Sequence, residues 1–106
     1  MILKKTKLAF LEMQRNEITE HVTYEQLSHI VKEQHNKRIL KKIADDELKH
    51  YHFWKKKTNL EVKPDMFRVF RYVAISRIFG LTFGIKLMES RKKEIKTSYD
   101  ILSKIR

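Results

Sequence analysis

Three glutamates of this chain stand where a soluble amphipathic helix normally carries apolar residues. Glu17, Glu47 and Glu89 each follow an apolar residue by four positions, which places each carboxylate on the apolar face of a helix. Burying an unpaired carboxylate is unfavourable because the charge loses its hydration. Three such positions on three helical segments therefore indicate a shared cation that neutralises the acids.

Glu47 is also the first member of an E-x-x-H pair with His50. A spacing of three puts both side chains on one helix face, where they can hold one metal ion together. Tyr24 lies two turns after Glu17, which brings its hydroxyl within hydrogen-bonding reach of a neighbouring ligand. Bundles that bind two irons use a glutamate on each of two helices and an E-x-x-H pair on each of two others. The pattern is therefore typical of a carboxylate–histidine metal site.

The remaining acids and histidines are weaker candidates. Glu20 also falls on the apolar stripe of the first helix, but it ranks below Glu17 because a helix–helix edge would also accommodate it. His52 follows His50 by two positions, which on a helix points it away from the same metal. Solvent-facing positions are predicted for His21, His29 and His35.

Three helical segments are predicted to position these residues, and no strand-like alternation competes with them. Their expected spans are about Lys5 to Gln34, about Lys37 to Lys57, and about Asp65 towards the C-terminus. Pro64 precedes the third segment, since proline starts helices well but cannot sit inside them. Gly80 and Gly84, four residues apart, would let another helix approach closely and also permit a kink. The third segment carries the apolar series Phe67, Phe70, Ala74, Ile78, Leu81, Ile85, Met88, Ile95, Tyr99 and Leu102.

Composition restricts the class of protein. The chain has 106 residues, of which 35% are charged and 42% hydrophobic, with only two glycines and one proline. These values favour long helices, and we expect a single all-α domain over residues 1–106. The absence of cysteine excludes disulfides, iron–sulfur clusters and thiolate zinc sites. Carboxylates and the five histidines are therefore the strong metal ligands that remain.

The net charge of +11 would attract nucleic acid or an anionic membrane surface. The lysines are spread along the chain and form no recognised nucleic-acid motif, so we expect no specific nucleic-acid partner, whereas association with a membrane surface or membrane protein stays open. The apolar stretch Tyr72–Met88 is interrupted by Arg77 and Lys86 and falls short of the roughly 20 apolar residues of a membrane span. The N-terminus lacks signal-peptide features, and a cytoplasmic location is expected.

The candidate ligands lie within or beside four longer motifs, QRNEITE at residues 14–20, IADDELKHY at 43–51, FWK at 53–55 and GLTFGIKLME at 80–89. In these motifs the chain resembles rubrerythrin-like ferritin domains, most of all those that precede a vacuolar-iron-transporter-like membrane domain in prokaryotes. The resemblance implies a ferritin-like bundle that binds two irons and reacts with oxygen or peroxide, or passes iron onward. The ligand positions that it implies are Glu17, Glu47, His50 and Glu89.

The chain departs from that family at two points. Lys92 stands where family members usually place a second carboxylate, one turn after Glu89, and no second E-x-x-H pair occurs before Arg106. The predicted fold is therefore an incomplete ferritin-like, rubrerythrin-type bundle of about three long helices, completed by oligomerisation. A two-fold dimer of the first two helices would supply four carboxylates and two imidazoles. The alternative is a shortened relic whose site no longer fills.

The function predicted from these features is a di-iron carboxylate protein with ferroxidase-like or peroxidase-like oxidoreductase chemistry, or a role in iron handling. Tyr24 is its candidate catalytic residue. One alternative is a basic adaptor with a degenerate, non-catalytic metal site that docks on nucleic acid or an anionic membrane. Another is an assembly module whose third helix pairs through Gly80 and Gly84.

Overall fold

The computed structural model describes residues 2–90 and 93, and within them all regular secondary structure is helical. The elements are α1 (Ile2–Ile30), α2 (Gln34–Thr58), α3 (Met66–Phe79) and a further helix, α4, followed over residues 81–90. The all-α prediction is thus confirmed for this part of the chain. None of the helices followed here has the length and apolar character needed to cross a membrane. The predictions for Lys92, Ile95, Tyr99 and Leu102 fall outside the described residues.

α1 and α2 form an antiparallel hairpin. Neither helix contains proline or glycine, so each runs without a break. Helix α2 ends at Asn59, which adopts the left-handed conformation (φ 58°). The backbone N–H of Asn59 donates to the Lys55 carbonyl and closes the last turn of α2, a common way to end a helix. Leu27 and Leu40 pack between the two helices at their connected end. The predicted helices are therefore correct in type, but the break between them lies at residues 31–33 and not at 35–36, which belong to the first turn of α2.

α3 packs along α1 through a face made of Val69, Tyr72 and Ser76. The carboxylate of Asp65 caps the helix, since its Oδ1 accepts a hydrogen bond from the Arg68 N–H at 3.2 Å. Capping of this kind satisfies a donor that the first helical turn would otherwise leave unpaired. Helix α3 therefore begins at Met66, directly after the predicted turn at Pro64 and Asp65.

The predicted third helix is broken at Gly80, where the structure shows two helices instead of one. Gly80 has φ 100° and ψ 153°, a conformation that glycine tolerates because it lacks a Cβ atom. After the break, Gly84 lies so close to α3 that a Cβ atom there would stand 3.2 Å from the Cα atom of Ser76 and collide with its side chain. The close approach predicted for this glycine is therefore made within the chain, between α4 and α3.

The break lets α4 close one end of the core. Met88 of α4 is fully buried against the cluster that contains Tyr24, Leu27 and Tyr72. Residues of α3 on the side away from α1, among them Phe67 and Phe70, are exposed. The core thus consists of the α1–α2 hairpin with one side of α3 and one side of α4.

Candidate metal centre

The candidate metal centre lies between α1 and α2 at the middle of the hairpin. Glu17 on α1 and Glu47 and His50 on α2 each offer a ligand atom, and these atoms all lie within 4.8 Å of one another. The Nδ1 atom of His50 is 2.9 Å from Oε1 of Glu47 and 3.4 Å from Oε2 of Glu17. The E-x-x-H pair and the first-helix glutamate, which were predicted as metal ligands, therefore lie together.

The two carboxylates and the imidazole differ in their exposure. Glu17 and Glu47 are only 4% and 3% exposed, whereas the side chain of His50 is 53% exposed. The carboxylates are thus sheltered from water while the imidazole forms the outer wall of the group. An ion bound between them would be reached from the His50 side.

Two hydrogen bonds across the hairpin set the register that brings Glu17 opposite α2. On the N-terminal side of Glu17, the Thr58 hydroxyl donates to Oε1 of Gln14 at 2.6 Å. On its C-terminal side, Nδ1 of His21 lies 2.7 Å from the carbonyl oxygen of Ala44, and this bond requires the proton of the imidazole to be on Nδ1. Glu17 lies between these two hydrogen bonds. The prediction that His21 faces solvent is therefore wrong. The residue is half-buried because its ring contacts the Ala44 carbonyl.

Glu20 is buried but is held by a different set of residues. Nδ2 of Asn16 donates to Oε2 of Glu20 at 2.7 Å, and Oδ1 of Asn16 accepts from Nη2 of Arg68 on α3 at 2.6 Å. A cation on α3 thus compensates this carboxylate through an amide. Glu20 does not belong to the Glu–Glu–His group identified among the described residues.

Sequence reasoning missed the roles of Asn16 and Arg68. The signal was present in the row Asn16, Thr19, Glu20 and Thr23, whose spacings of three and four place four polar residues on one side of α1. All four are buried. Buried polar groups require partners, so such a row indicates a second helix that supplies them. Here α3 supplies a partner to Asn16, whereas the hydroxyls of Thr19 and Thr23 donate to backbone carbonyls of α1 itself.

Tyr24 lies buried next to the carboxylates of three helices. Its pKa is raised well above the ordinary value, first because burial disfavours the phenolate and then because Glu20, Glu47 and Glu89 repel a further negative charge. The hydroxyl therefore keeps its proton at neutral pH and can act as a hydrogen-bond donor towards an acidic environment. The hydrogen-bonding role of Tyr24 towards a metal ligand stays a prediction.

Glu89 differs from the inward orientation that the sequence suggested. It is on α4 beside the buried Met88, and its charge acts on Tyr24, yet its side chain is exposed. It also lies outside the group whose ligand atoms come within 4.8 Å of one another in the described part of the chain. The buried row of α4 runs through Gly84 and Met88, and Glu89, one residue after Met88, lies beside that row and not on it.

The donor set fits a divalent transition metal. Carboxylate oxygens and imidazole nitrogens together suit iron, zinc and manganese. Two carboxylate charges within 4.8 Å of each other repel by at least about 3.5 kcal/mol at an effective dielectric constant of about 20, and a cation between them turns that repulsion into attraction. The site therefore has both the ligands and the electrostatic reason to hold a metal ion.

Comparison with models of known protein families, with curated proteins and with solved structures finds no match for this chain. The resemblance to rubrerythrin-like ferritin domains accordingly stays a prediction. The structure itself defines an all-helical protein, in the residues it describes, with a glutamate–glutamate–histidine group able to hold a metal ion.

Proposed function

We propose that this chain is an iron-binding protein whose metal centre is formed by Glu17, Glu47 and His50. The observation that carries the proposal is the convergence of two sheltered carboxylates and one imidazole within 4.8 Å. The two acids come from different helices, so their approach results from the packing of α1 on α2 and not from sequence proximity. A fold that brings two acids together in its interior is stable when a cation accompanies them.

The ligand types are compatible with iron, and the resemblance to ferritin-like domains favours iron over other metals. A histidine with carboxylates and positions left open is the ligand set of non-haem iron proteins. When bound, iron supplies the electrons that reduce oxygen or peroxide. The chain's own contributions are the fixed register of Glu17 and Glu47, the half-exposed His50 that leaves one side accessible, and the buried Tyr24 hydroxyl near the carboxylates.

A two-iron centre needs more ligands than one α1–α2 hairpin offers. In the proposed assembly, two chains pack their hairpins together about a two-fold axis, which doubles the three ligands to four carboxylates and two imidazoles. The exposed edge of His50 supports this arrangement because its ring reaches the surface of the hairpin. Ferroxidase-like or peroxidase-like chemistry is proposed for the assembled site.

Anaerobic titration with ferrous iron, followed by metal analysis and native mass spectrometry, tests the proposal. The wild-type chain is expected to take up iron, with up to one ion per chain and two per dimer. Glu47→Gln is expected to abolish uptake while it leaves helical circular dichroism unchanged. Asp45→Asn is the matched control, because Asp45 is an exposed acid two residues away on α2.

Each result of the titration bears on a separate part of the proposal. Stoichiometric iron in Glu47→Gln would remove the assignment of the site. Tight binding of zinc with no uptake of ferrous iron would retain the site and reject iron as its metal. One iron on a strictly monomeric chain would reject the dimeric two-iron centre.

A further inference from the structure

The outer side of α3 and the start of α4 expose an unusual amount of apolar surface. Phe67, Phe70 and Ile78 are 70%, 66% and 73% exposed, and their positions along α3 place them on one helix face. Phe79 and Phe83 continue the surface across the Gly80 break, at 66% and 53% exposure. We call these five residues the outer aromatic face. Contiguous apolar surface of this kind marks a site of interaction.

The stretch of α3 and α4 that carries the outer aromatic face contains basic residues and no acidic ones. Residues 66–88 contain three arginines and one lysine but no aspartate or glutamate. Arg71 and Arg77 are exposed on α3, and the guanidinium of Arg71 lies 5.7 Å from the centre of the Phe67 ring. The surface is therefore apolar and positive at once, on a chain whose net charge is +11.

The opposite side of α3 is fixed, so the outer side chains are free to meet a partner without unfolding the helix. Val69 and Tyr72 are buried against the core, and Arg68 bonds Asn16 on α1. The outward orientation of Phe67 and Phe70 follows from this inner contact. The outer aromatic face is thus a surface held in place by the fold.

We propose that the outer aromatic face docks on an anionic lipid bilayer. Apolar side chains that enter the headgroup boundary, together with arginines that remain beside lipid phosphates, are the features by which helices bind at a membrane interface. A second copy of the chain fits less well, because two such faces would bring Arg71 and Arg77 of both copies together. Nucleic acid would match the charge but would leave Phe67, Phe70 and Ile78 in water.

Vesicle co-sedimentation tests the apolar part of the proposal. Wild-type chain is expected to bind phosphatidylcholine vesicles that contain phosphatidylglycerol much more strongly than vesicles of phosphatidylcholine alone. The variant Phe67→Ser/Phe70→Ser/Ile78→Ser is expected to bind about 100-fold more weakly, at about fivefold for each partly inserted side chain. The control Leu8→Ser/Ile39→Ser/Phe53→Ser changes three apolar residues that are exposed on α1 and α2 and is expected to bind like the wild type.

A second pair of variants tests the charge. Arg71→Gln/Arg77→Gln is expected to weaken binding to the anionic vesicles about 30-fold, since each cation near such a surface contributes about fivefold, equivalent to about 1 kcal/mol. Lys41→Gln/Lys56→Gln removes the same charge from exposed positions of α2 and is expected to change binding less than threefold. Equal losses in the two pairs would show attraction by net charge alone and would overturn the assignment of this surface.

A reporter variant, Trp54→Phe/Phe67→Trp, places the only tryptophan at the outer aromatic face. Its emission is expected to shift to the blue on vesicle binding and to be quenched by brominated lipid. Emission unchanged on bound vesicles would overturn the proposal.

Other occupants of the surface give different results, and each would overturn the lipid proposal. A smaller native mass for the triple serine variant would assign the face to a second copy of the chain. Binding to duplex DNA stronger than to anionic vesicles, and unaffected by the serine substitutions, would assign the charge to nucleic acid. A loss of thermal stability in the serine variant with unchanged vesicle binding would mean that the face is covered within the chain.

The lipid proposal does not rest on the metal centre, since Glu47→Gln is expected to bind vesicles normally.

Discussion

Substituting Glu17 by glutamine should stabilise the metal-free protein while it removes the response to metal. The carboxylates of Glu17 and Glu47 offer ligand atoms within 4.8 Å of each other, which corresponds to a repulsion of at least about 3.5 kcal/mol at an effective dielectric constant of about 20. The hydrogen bond between Nδ1 of His50 and Oε1 of Glu47, at 2.9 Å, offsets about 1 kcal/mol of it. Glu17→Gln is therefore expected to raise the free energy of unfolding by about 2 kcal/mol.

Thermal and urea denaturation of the metal-free proteins, prepared with a chelator, would measure this gain. For a domain of this size, about 2 kcal/mol corresponds to a rise in Tm of about 10 °C. Ferrous iron at about 100 times its Kd should then stabilise the wild type by about 2.7 kcal/mol and leave Glu17→Gln unchanged. Glu12→Gln is the control on the same helix, because Glu12 is exposed, and it should behave as the wild type in both measurements.

Two outcomes would refute this reasoning. If Glu17→Gln lowers the stability of the metal-free protein by more than 1 kcal/mol, the carboxylate is a structural partner and not a source of repulsion. If the variant keeps the full stabilisation by iron, the metal does not depend on Glu17. The opposite signs of the two expected effects distinguish a metal ligand from an ordinary buried acid.

Three further predictions concern the surroundings of the site. The pKa of Tyr24 is raised in the folded state, so above about pH 10 the unfolded chain loses the tyrosine proton before the folded chain does. The free energy of unfolding therefore falls by up to about 1.4 kcal/mol per pH unit there. Tyr24→Phe should remove this contribution to the pH dependence, as measured by urea denaturation at pH 9 to 11. Gly80→Ala should cost about 2 kcal/mol through the backbone alone, since a Cβ atom there meets no other atom within 4 Å, and a loss below 0.5 kcal/mol in denaturation would contradict this. Arg68→Met should lower stability by about 2 kcal/mol because Asn16 and Glu20 lose their cation, whereas the exposed Arg71→Met should not.

The sequence was sufficient to predict the helices and the ligands that one helix holds together. Few glycines and prolines and a period of three to four residues fix α1 and α2, and the spacing of three alone places Glu47 and His50 on one face. The burial of Glu17 and Glu47 also followed from their apolar neighbours, because residues four apart share a helix face.

Other features depended on contacts between distant residues. That Glu17 meets His50 depends on the register of the hairpin, which hydrogen bonds at Gln14 and His21 set. The compensation of Glu20 by Arg68 required α3 to pack beside α1. Periodicity shows which residues share a face, but it does not show which partner that face meets.

The third predicted helix shows the same limit most clearly. Its sequence offers apolar residues on nearly every side, so periodicity could not decide whether Phe67 and Phe70 or Val69 and Tyr72 face the core. In the tertiary structure Val69 and Tyr72 face the core. The helix ends at Gly80, where a positive φ is accessible to glycine. In α4, after the break, Met88 lies on the buried side and Glu89, the next residue, lies outside it. The sequence determined the helices and the local ligand pair, whereas packing alone decided the orientation of α3 and α4, because many faces of these helices are apolar enough to be buried.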